Sequence, residues 1–501
     1  MVCVKRIVSE TWRAVPERFR AAAAIDTRAL SAFRFMLATI LLCDLAVRAQ
    51  DIQGHYTDLG VLPLANWRSA FGPYSPLCFF VVAPDALSVA LLFVSGAVIY
   101  LLLLLGRWTP LVTLLAWLFL LALHQRNPLL LNAGDSLLRL LLFWAIFVPL
   151  DGRWKWWPRG MPKSVVGDSS IASGATAALL LQVCYVYWNT AYWKSNPDWW
   201  SEADAVSRAL NFELYATGAG DLLLGFPEVM RWMSRAVLIF EWIGPTLAIL
   251  SWNHWRLRAA IVMLFVLMHL SLAMIFTLGL FPYVSIAGWI LFLPSPLWER
   301  AEILFKRRGD ALSGGVAHDA SERLGSQRWK VWLLGILLLS CVTGYQTAGF
   351  RSNTLLRRVD IGVASLGLLQ SWSMYAHPSY DDGWFEVEGL DTNGEPWDLL
   401  RKQRGFVAGK PSDGAFQFAN HRWRKYMNRL RKSRDPLMAK LYAHWQCFAA
   451  RAFMPAGLEL VTVRVGFIVE FGAPPPALRR FVRPPTTPIP LGQFACGGEK
   501  L

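Results

Sequence analysis

Lys194, Glu241 and His269 are ionisable side chains set in or at the ends of long apolar runs, as are Arg34, Asp44, His124, Asp135 and Arg139. A charge at bilayer depth costs roughly 2.5–3.5 kcal/mol on insertion scales, so such residues mark either function or pairing. Each has a plain alternative to chemistry. Lys194 can snorkel to an interface, and His269 can be a packing histidine. Asp135 and Arg139, spaced i,i+4, can neutralise each other. Glu241 can bond a neighbouring helix. The cysteines fall into no metal-ligand spacing, and no metal is expected. Cys43, Cys78, Cys184 and Cys341 lie in or beside apolar blocks, where a buried thiol is the ordinary outcome. Cys447 and Cys496 share the C-terminal segment and can pair if it faces an oxidising compartment.

The elements that carry these residues follow from the hydropathy. Of 501 residues, 54% are hydrophobic and 17% charged, and the apolar residues come in blocks. A span of about 20 residues crosses a ~30 Å hydrocarbon core. Spans are expected near 29–48, 86–105, 108–124, 135–151, 172–193, 234–252, 257–278, 281–297 and 330–347. The expected fold class is an all-α polytopic membrane bundle of about nine transmembrane helices with a small C-terminal α+β extramembrane domain. Its parts are a basic N-terminal segment (1–28), the transmembrane domain (29–350) and the C-terminal domain (351–501). The first helix is expected to be retained rather than cleaved, because Arg34 and Asp44 interrupt it and no small-x-small site follows.

Lys and Arg concentrate in alternate connections: 1–28, Arg107, 152–170, Arg256–Arg258 and 299–330. The positive-inside rule then places the N-terminus in the cytoplasm and, with an odd number of spans, the C-terminal domain outside the cell membrane. The net charge of +15 is explained by this pattern, so no nucleic-acid partner is expected. At 1.5 Å per residue, Glu241 lies roughly 10 Å and His269 roughly 15 Å below the outer ends of their helices. Asp44, His124, Asp135 and Lys194 sit near outer ends, so most of these groups gather in the outer half of the membrane.

Beyond residue 350 the pattern changes. Trp384–Gly389 alternates like a strand, and Thr392-Asn393-Gly394 signals a turn behind it. Arg422–Phe453 reads as a basic amphipathic helix or pair broken at Pro436. Leu458–Phe471 is rich in β-branched residues and reads as a strand. The proline-rich tail from Pro474 is expected to be extended.

Several stretches together resemble one family. Phe33-Arg34-Phe35 with Asp44 is similar to the first helix of the vitamin K-dependent gamma-carboxylase and of the bacterial HTTM membrane proteins that share its transmembrane domain. Val186 to Trp199, through Lys194, resembles the carboxylase segment bearing its catalytic lysine. His269 to Val284 resembles a helix ending in a Gly-x-Phe-Pro-Tyr turn, and Ser371–Met374 with His377 resembles the approach to the lumenal domain. Arg126-Asn127-Pro128 to Trp144 looks typical of the bacterial members. The similarity runs in order over about residues 30–390.

The resemblance implies a lysine base, Lys194, that deprotonates a reduced lipid quinone (reduced vitamin K or menaquinol). Oxygenation to the epoxide follows, and in the carboxylase it is coupled to carboxylation of a glutamate. Such a base acts as a neutral amine, which apolar surroundings favour in general. His269 is expected to be the second catalytic residue, and Asp135, Arg139, Glu241, Trp199 and His377 are expected to bind substrate. The chain departs from the carboxylase where Gly134-Asp135 replaces an Asn-His pair, and where Leu272 and Met274 replace Asn and Gln. The propeptide-capturing region has no counterpart. The expected partners are therefore the bilayer, a lipid quinone, and a protein or peptide at the outer domain. The rival expectation is a non-catalytic scaffold or lipid-binding module whose outer domain binds a partner.

Overall fold

In the computed structural model, the chain is described over residues 17–150, 170–306, 361–379, 381–411, 417–471 and 485–497. The expected span at 330–347, Cys341 and the basic connections at 152–169 and 307–330 lie outside the described residues.

Among the described residues, five helices are long and apolar enough to cross a membrane: α1 (Thr27–Ala49), α2 (Ala86–Leu105), α3 (Thr109–Arg126), α6 (Pro227–Leu250) and α7 (Trp255–Ile275). Between α3 and α6 lie α4 (Ala133–Ala145) and α5 (Gly174–Lys194), and after α7 come α8 (Phe281–Ile290) and α9 (Ser295–Lys306). Local chemistry sets their ends. Asp85 caps α2 by accepting from the amides of Leu87 and Ser88. Gly106, at φ +70°, ends α2 in the left-handed conformation, and the Arg34 guanidinium lies where a side chain there would stand. Capping boxes open α4 (Asn132 with Asp135) and α5 (Ser173 with Thr176).

Two expected spans are corrected. The span at 135–151 ends at Ala145, giving a 13-residue helix. That is about 20 Å, short of a hydrocarbon core; Pro149 disfavours helix at the residue before it. The span at 281–297 is broken, with α8 and α9 meeting at 94°. Pro294 and Pro296 stand at the break. α5 has 21 residues but carries Gln182, Asn189 and Lys194 on buried positions, and it packs among α4, α6 and α8. The outward faces are apolar. Leu87, Leu91, Val94, Val98 and Leu101 make an exposed stripe along α2, and Met263, Leu264, Leu267 and Met274 make one along α7, surfaces suited to lipid. Cys43, expected to be buried, is exposed on α1.

The C-terminal part is a five-stranded sheet with two helices. β1 (Asp381–Asp391), β2 (Pro396–Asp398), β3 (Gln403–Arg404), β4 (Leu460–Phe471) and β5 (Thr486–Ala495) lie in the order β3-β2-β1-β4-β5. β1 and β4 pair antiparallel along almost their full length. The turn expected at Thr392–Gly394 is present, with Gly394 at φ +79°. α10 (His421–Ser433) and α11 (Pro436–Ala449) break where Pro436 stands, and α11 covers β4 and β5. The proline-rich tail is not merely extended: it supplies the edge strand β5, where Pro488 and Pro490 face Ile468 and Gly466, a place in a sheet that tolerates a missing N–H. Cys447 on α11 and Cys496 beside β5 form a disulfide with Cα atoms 5.6 Å apart.

Sheet and bundle share a continuous core, in which Trp423, Tyr426 and Met427 of α10 join Phe33, Tyr56 and Leu130 of the bundle. Arg422 enters the bundle outright. Its guanidinium reaches Asp135 at 2.5 Å and also pairs with Asp44. Arg48 bridges the same acids at 2.8 Å (Asp44) and 2.7 Å (Asp135), and it donates to the Tyr56 hydroxyl. All four charged residues are buried. Two guanidiniums against two carboxylates leave the cluster formally neutral, the condition under which buried charge is tolerated.

Candidate functional site

The C-terminal end of α5 delivers Lys194 to a cavity of about 550 Å³ walled by α5, α6, α7, the 371–379 segment and α10. Lys194 Nζ lies 2.8 Å from Glu241 Oε1 on α6 and 4.3 Å from the centre of the Trp199 ring. Both Lys194 and Glu241 are only 6% exposed. Glu241 faces inward because its helix turns Ile239, Trp242 and Ile243 outward. Trp199 is held in turn by its indole N–H, which donates to the Tyr375 carbonyl at 2.9 Å. Asn196 donates to the Ala376 carbonyl, also at 2.9 Å. The 371–379 segment is therefore tied across the cavity beside the lysine.

His269 on α7 is buried and lines the same cavity. Its Nε2 is 2.6 Å from the Tyr187 hydroxyl, which accepts from the Trp289 indole N–H at 2.8 Å. The assignment that uses each proton once has Trp289 donate to Tyr187 and Tyr187 donate to Nε2, which leaves the imidazole proton on Nδ1. His269 Nδ1 and Glu241 Oε2 have no hydrogen-bond partner among the described residues. Both residues line the cavity, and both atoms are buried polar groups of a kind that ordinarily has a partner.

Of the residues expected at a site, Lys194, Glu241, His269, Trp199 and His377 line this cavity. His377 is at the exposed rim, 3.2 Å from Asp198. Asp135 and Arg139 do not line it. Asp135 is spent in the cluster with Arg48 and Arg422, and Arg139 donates to the Gly367 carbonyl at 2.8 Å and meets His124 Nδ1 at 3.0 Å. The i,i+4 pairing open to Asp135 and Arg139 in the sequence is thus not used, because each finds a tertiary partner. Asp44, His124 and Asp135 lie close enough together to suggest a metal centre. However, every carboxylate oxygen of the two aspartates already meets a guanidinium.

Sequence reasoning missed the basic wall. His421, Arg424, Lys425, Asn428, Arg431 and Lys432 lie on one face of α10 and line the cavity. Their spacing (i, i+3, i+4, i+7, i+10, i+11) was legible as one helical face, but not which way it turns. Arg424 donates to the Thr277 carbonyl and lies 5.0 Å from the Tyr215 ring centre. Asn428 donates to the Tyr215 hydroxyl at 3.0 Å. Burial, with Arg429 and Lys432 close by, pushes the Lys425 ammonium down to about 8. Burial beside Arg422 pushes His421 down to about 3, so its imidazole is neutral at physiological pH. No family model, curated protein or solved structure matches this chain.

Proposed function

We propose that this protein is a multi-pass membrane enzyme, similar to the vitamin K-dependent gamma-carboxylase and the HTTM proteins, that oxygenates a reduced lipid quinone with Lys194 as base. The observation that carries this is the buried Lys194–Glu241 pair in a largely apolar cavity, flanked by the unsatisfied Glu241 Oε2 and His269 Nδ1. A quinol offers the complementary groups: a ring for the apolar walls and two hydroxyls for the polar atoms. The base is the pair rather than the amine alone, since a proton taken at Nζ can be shared with Oε1 at 2.8 Å. His269 Nδ1–H would donate to the oxyanion left on the ring. The overall reaction balances as quinol plus dioxygen giving quinone epoxide plus water.

An apolar groove lined by Pro197, Trp200, Leu238, Ile239, Trp242 and Ile243 runs along the outward side of the same helix. It supports approach of a lipid from the bilayer. The proposed topology is multi-pass, with a cytoplasmic N-terminus and an outer C-terminal domain. The loop charges support it, and so does the Cys447–Cys496 disulfide, which suits an oxidising compartment. Carboxylation is not part of the proposal: Asp135, which stands where the carboxylase has part of its Asn-His pair, is engaged by Arg48 and Arg422.

A second reading has the Lys194–Glu241 pair doing structural work only in a non-catalytic lipid-binding module. Lys194→Arg separates the two, because arginine keeps the ion pair but does not deprotonate. Full-length protein in liposomes, given menaquinol and oxygen, should form epoxide. Lys194→Arg should lose on the order of 10²–10⁴-fold in rate, the scale of a general base, while keeping the wild-type thermal midpoint. Absence of epoxide above a protein-free control overturns the enzyme reading; wild-type turnover by Lys194→Arg overturns Lys194 as base.

A further inference from the structure

The cavity is electrically lopsided. Among the described residues, five Lys and Arg line it (Lys194, Arg424, Lys425, Arg431 and Lys432) against one carboxylate, Glu241, which Lys194 already holds. The excess lies on α10, whose wall residues fall outside the stretch that resembles the carboxylase. Lys425 and Lys432 have no ion-pair partner among the described residues. Lys425 is half-buried, Lys432 exposed. Lys425 also has Arg429 at i+4, a like-charge spacing that weakens a helix. Asp135, the acid felt by Lys425, is bound to Arg48 and Arg422. Arg431 feels Asp381 and Asp382 and lies 5.3 Å from the Phe212 ring centre. Gathering like charges on a partly buried wall, with no ion-pair partner for the two lysines among the described residues, is unfavourable. An interfacial lysine would ordinarily point to lipid headgroups on the outer surface, but these side chains turn into the cavity.

From this geometry we infer a binding subsite for a multiply charged phosphate group on the α10 face, formed by Arg424, Lys425, Asn428, Arg431 and Lys432. It goes beyond the quinol reading and stands without it. A single carboxylate would offset only one of these charges. A phosphate or diphosphate carries more charge and more acceptor oxygens, matching two guanidiniums, two ammoniums and an amide. The apolar walls around Val237, Leu272 and Phe276, continuous with this shelf, suit a hydrocarbon tail on the same molecule.

The test is binding to the full-length protein in detergent micelles. The probes are geranylgeranyl diphosphate, geranylgeraniol, inorganic pyrophosphate and a glutamate-containing peptide. The lipid diphosphate should bind at least tenfold tighter than the alcohol, with affinity falling as salt rises. The Lys425→Gln/Lys432→Gln variant should lose at least tenfold for the diphosphate and nothing for the alcohol. Lys432→Gln alone, at an exposed position, gives the same reading at smaller amplitude if the double variant fails to fold. Pyrophosphate binding as tightly as the lipid diphosphate supports the subsite and makes a free phosphate compound its ligand. Much weaker pyrophosphate binding supports the subsite and makes the ligand a lipid. Equal affinity for the alcohol and its diphosphate overturns the subsite, as does indifference to the α10 substitutions. Tighter binding of the peptide than of either phosphate probe overturns the choice of phosphate.

Discussion

Replacing Arg422 with methionine removes one of the two cations that hold Asp44 and Asp135, and the structure makes the consequence calculable. Arg48 then faces two buried carboxylates alone. Breaking a buried ion cluster by removing one member costs about 3–5 kcal/mol, mostly because the abandoned charge stays buried. Methionine roughly conserves the volume, so packing loss adds little. A second substitution distinguishes this from generic damage: Asp44→Asn combined with Arg422→Met restores formal neutrality and should recover a large part of the loss. Denaturant unfolding in mixed micelles, followed separately in the bundle and in the sheet, gives the four corners of the double-mutant cycle. Arg422 links α10 to α1 and α4, so the single variant should also expose the C-terminal region to limited proteolysis while the bundle stays folded. A cost under about 1 kcal/mol for Arg422→Met would refute the electrostatic reasoning, and so would a double variant no more stable than the single.

Two further perturbations follow from the C-terminal sheet. Burial and neighbouring Glu213 push Asp382 up to about 6, so the folded state holds its proton longer than the unfolded chain does. Its stabilising contribution is complete below the ordinary carboxylate range and is lost as pH rises from about 4 to about 6, which makes Asp382→Asn stabilising by about 2–4 kcal/mol at neutral pH and neutral near pH 4. Thermal midpoints at the two pH values check this; an offset independent of pH contradicts it. The Cys447–Cys496 bond closes a sequence separation of 49 residues, worth about 4 kcal/mol in the chain-entropy model. Reductant should therefore lower the denaturant midpoint of the wild type and leave Cys447→Ser/Cys496→Ser unchanged, and equal response of the two would exclude the bond.

How far the sequence carries depends on the range of the interaction that decides each feature. The strand at 460–471, the helix break at Pro436 and the turn at Gly394 are decided by residues within a few positions, and they were legible. So were the apolar blocks that became α1, α2, α3, α6 and α7. Pro149, Pro294 and Pro296 were local signals that hydropathy averaging over a span-length window obscured. The charge pairings were decided at long range. Asp135 looked poised for Arg139 four residues away, yet its partners are 87 residues before it (Arg48) and 287 after it (Arg422). Arg48 could have been flagged, since it sits i+4 from Asp44 on the same helix. Nothing in the spacing of α10 shows that its basic face turns into the bundle rather than toward solvent. Lys194, Glu241 and His269 were grouped by estimated depth, with Lys194 and His269 also on stretches that carry the resemblance, and the structure brings all three to one cavity.

The quinol assignment is tested most directly by photoaffinity labelling of the full-length protein in liposomes with a menaquinone bearing a photoreactive group on its ring. The label should fall on peptides containing Lys194–Trp199, Glu241 or Met268–His269, should be competed by unmodified menaquinol, and should be lost in Lys194→Arg/Glu241→Gln. Labelling confined to the exposed stripes of α2 and α7, insensitive to competitor, would contradict the placement of a quinone beside the Lys194–Glu241 pair.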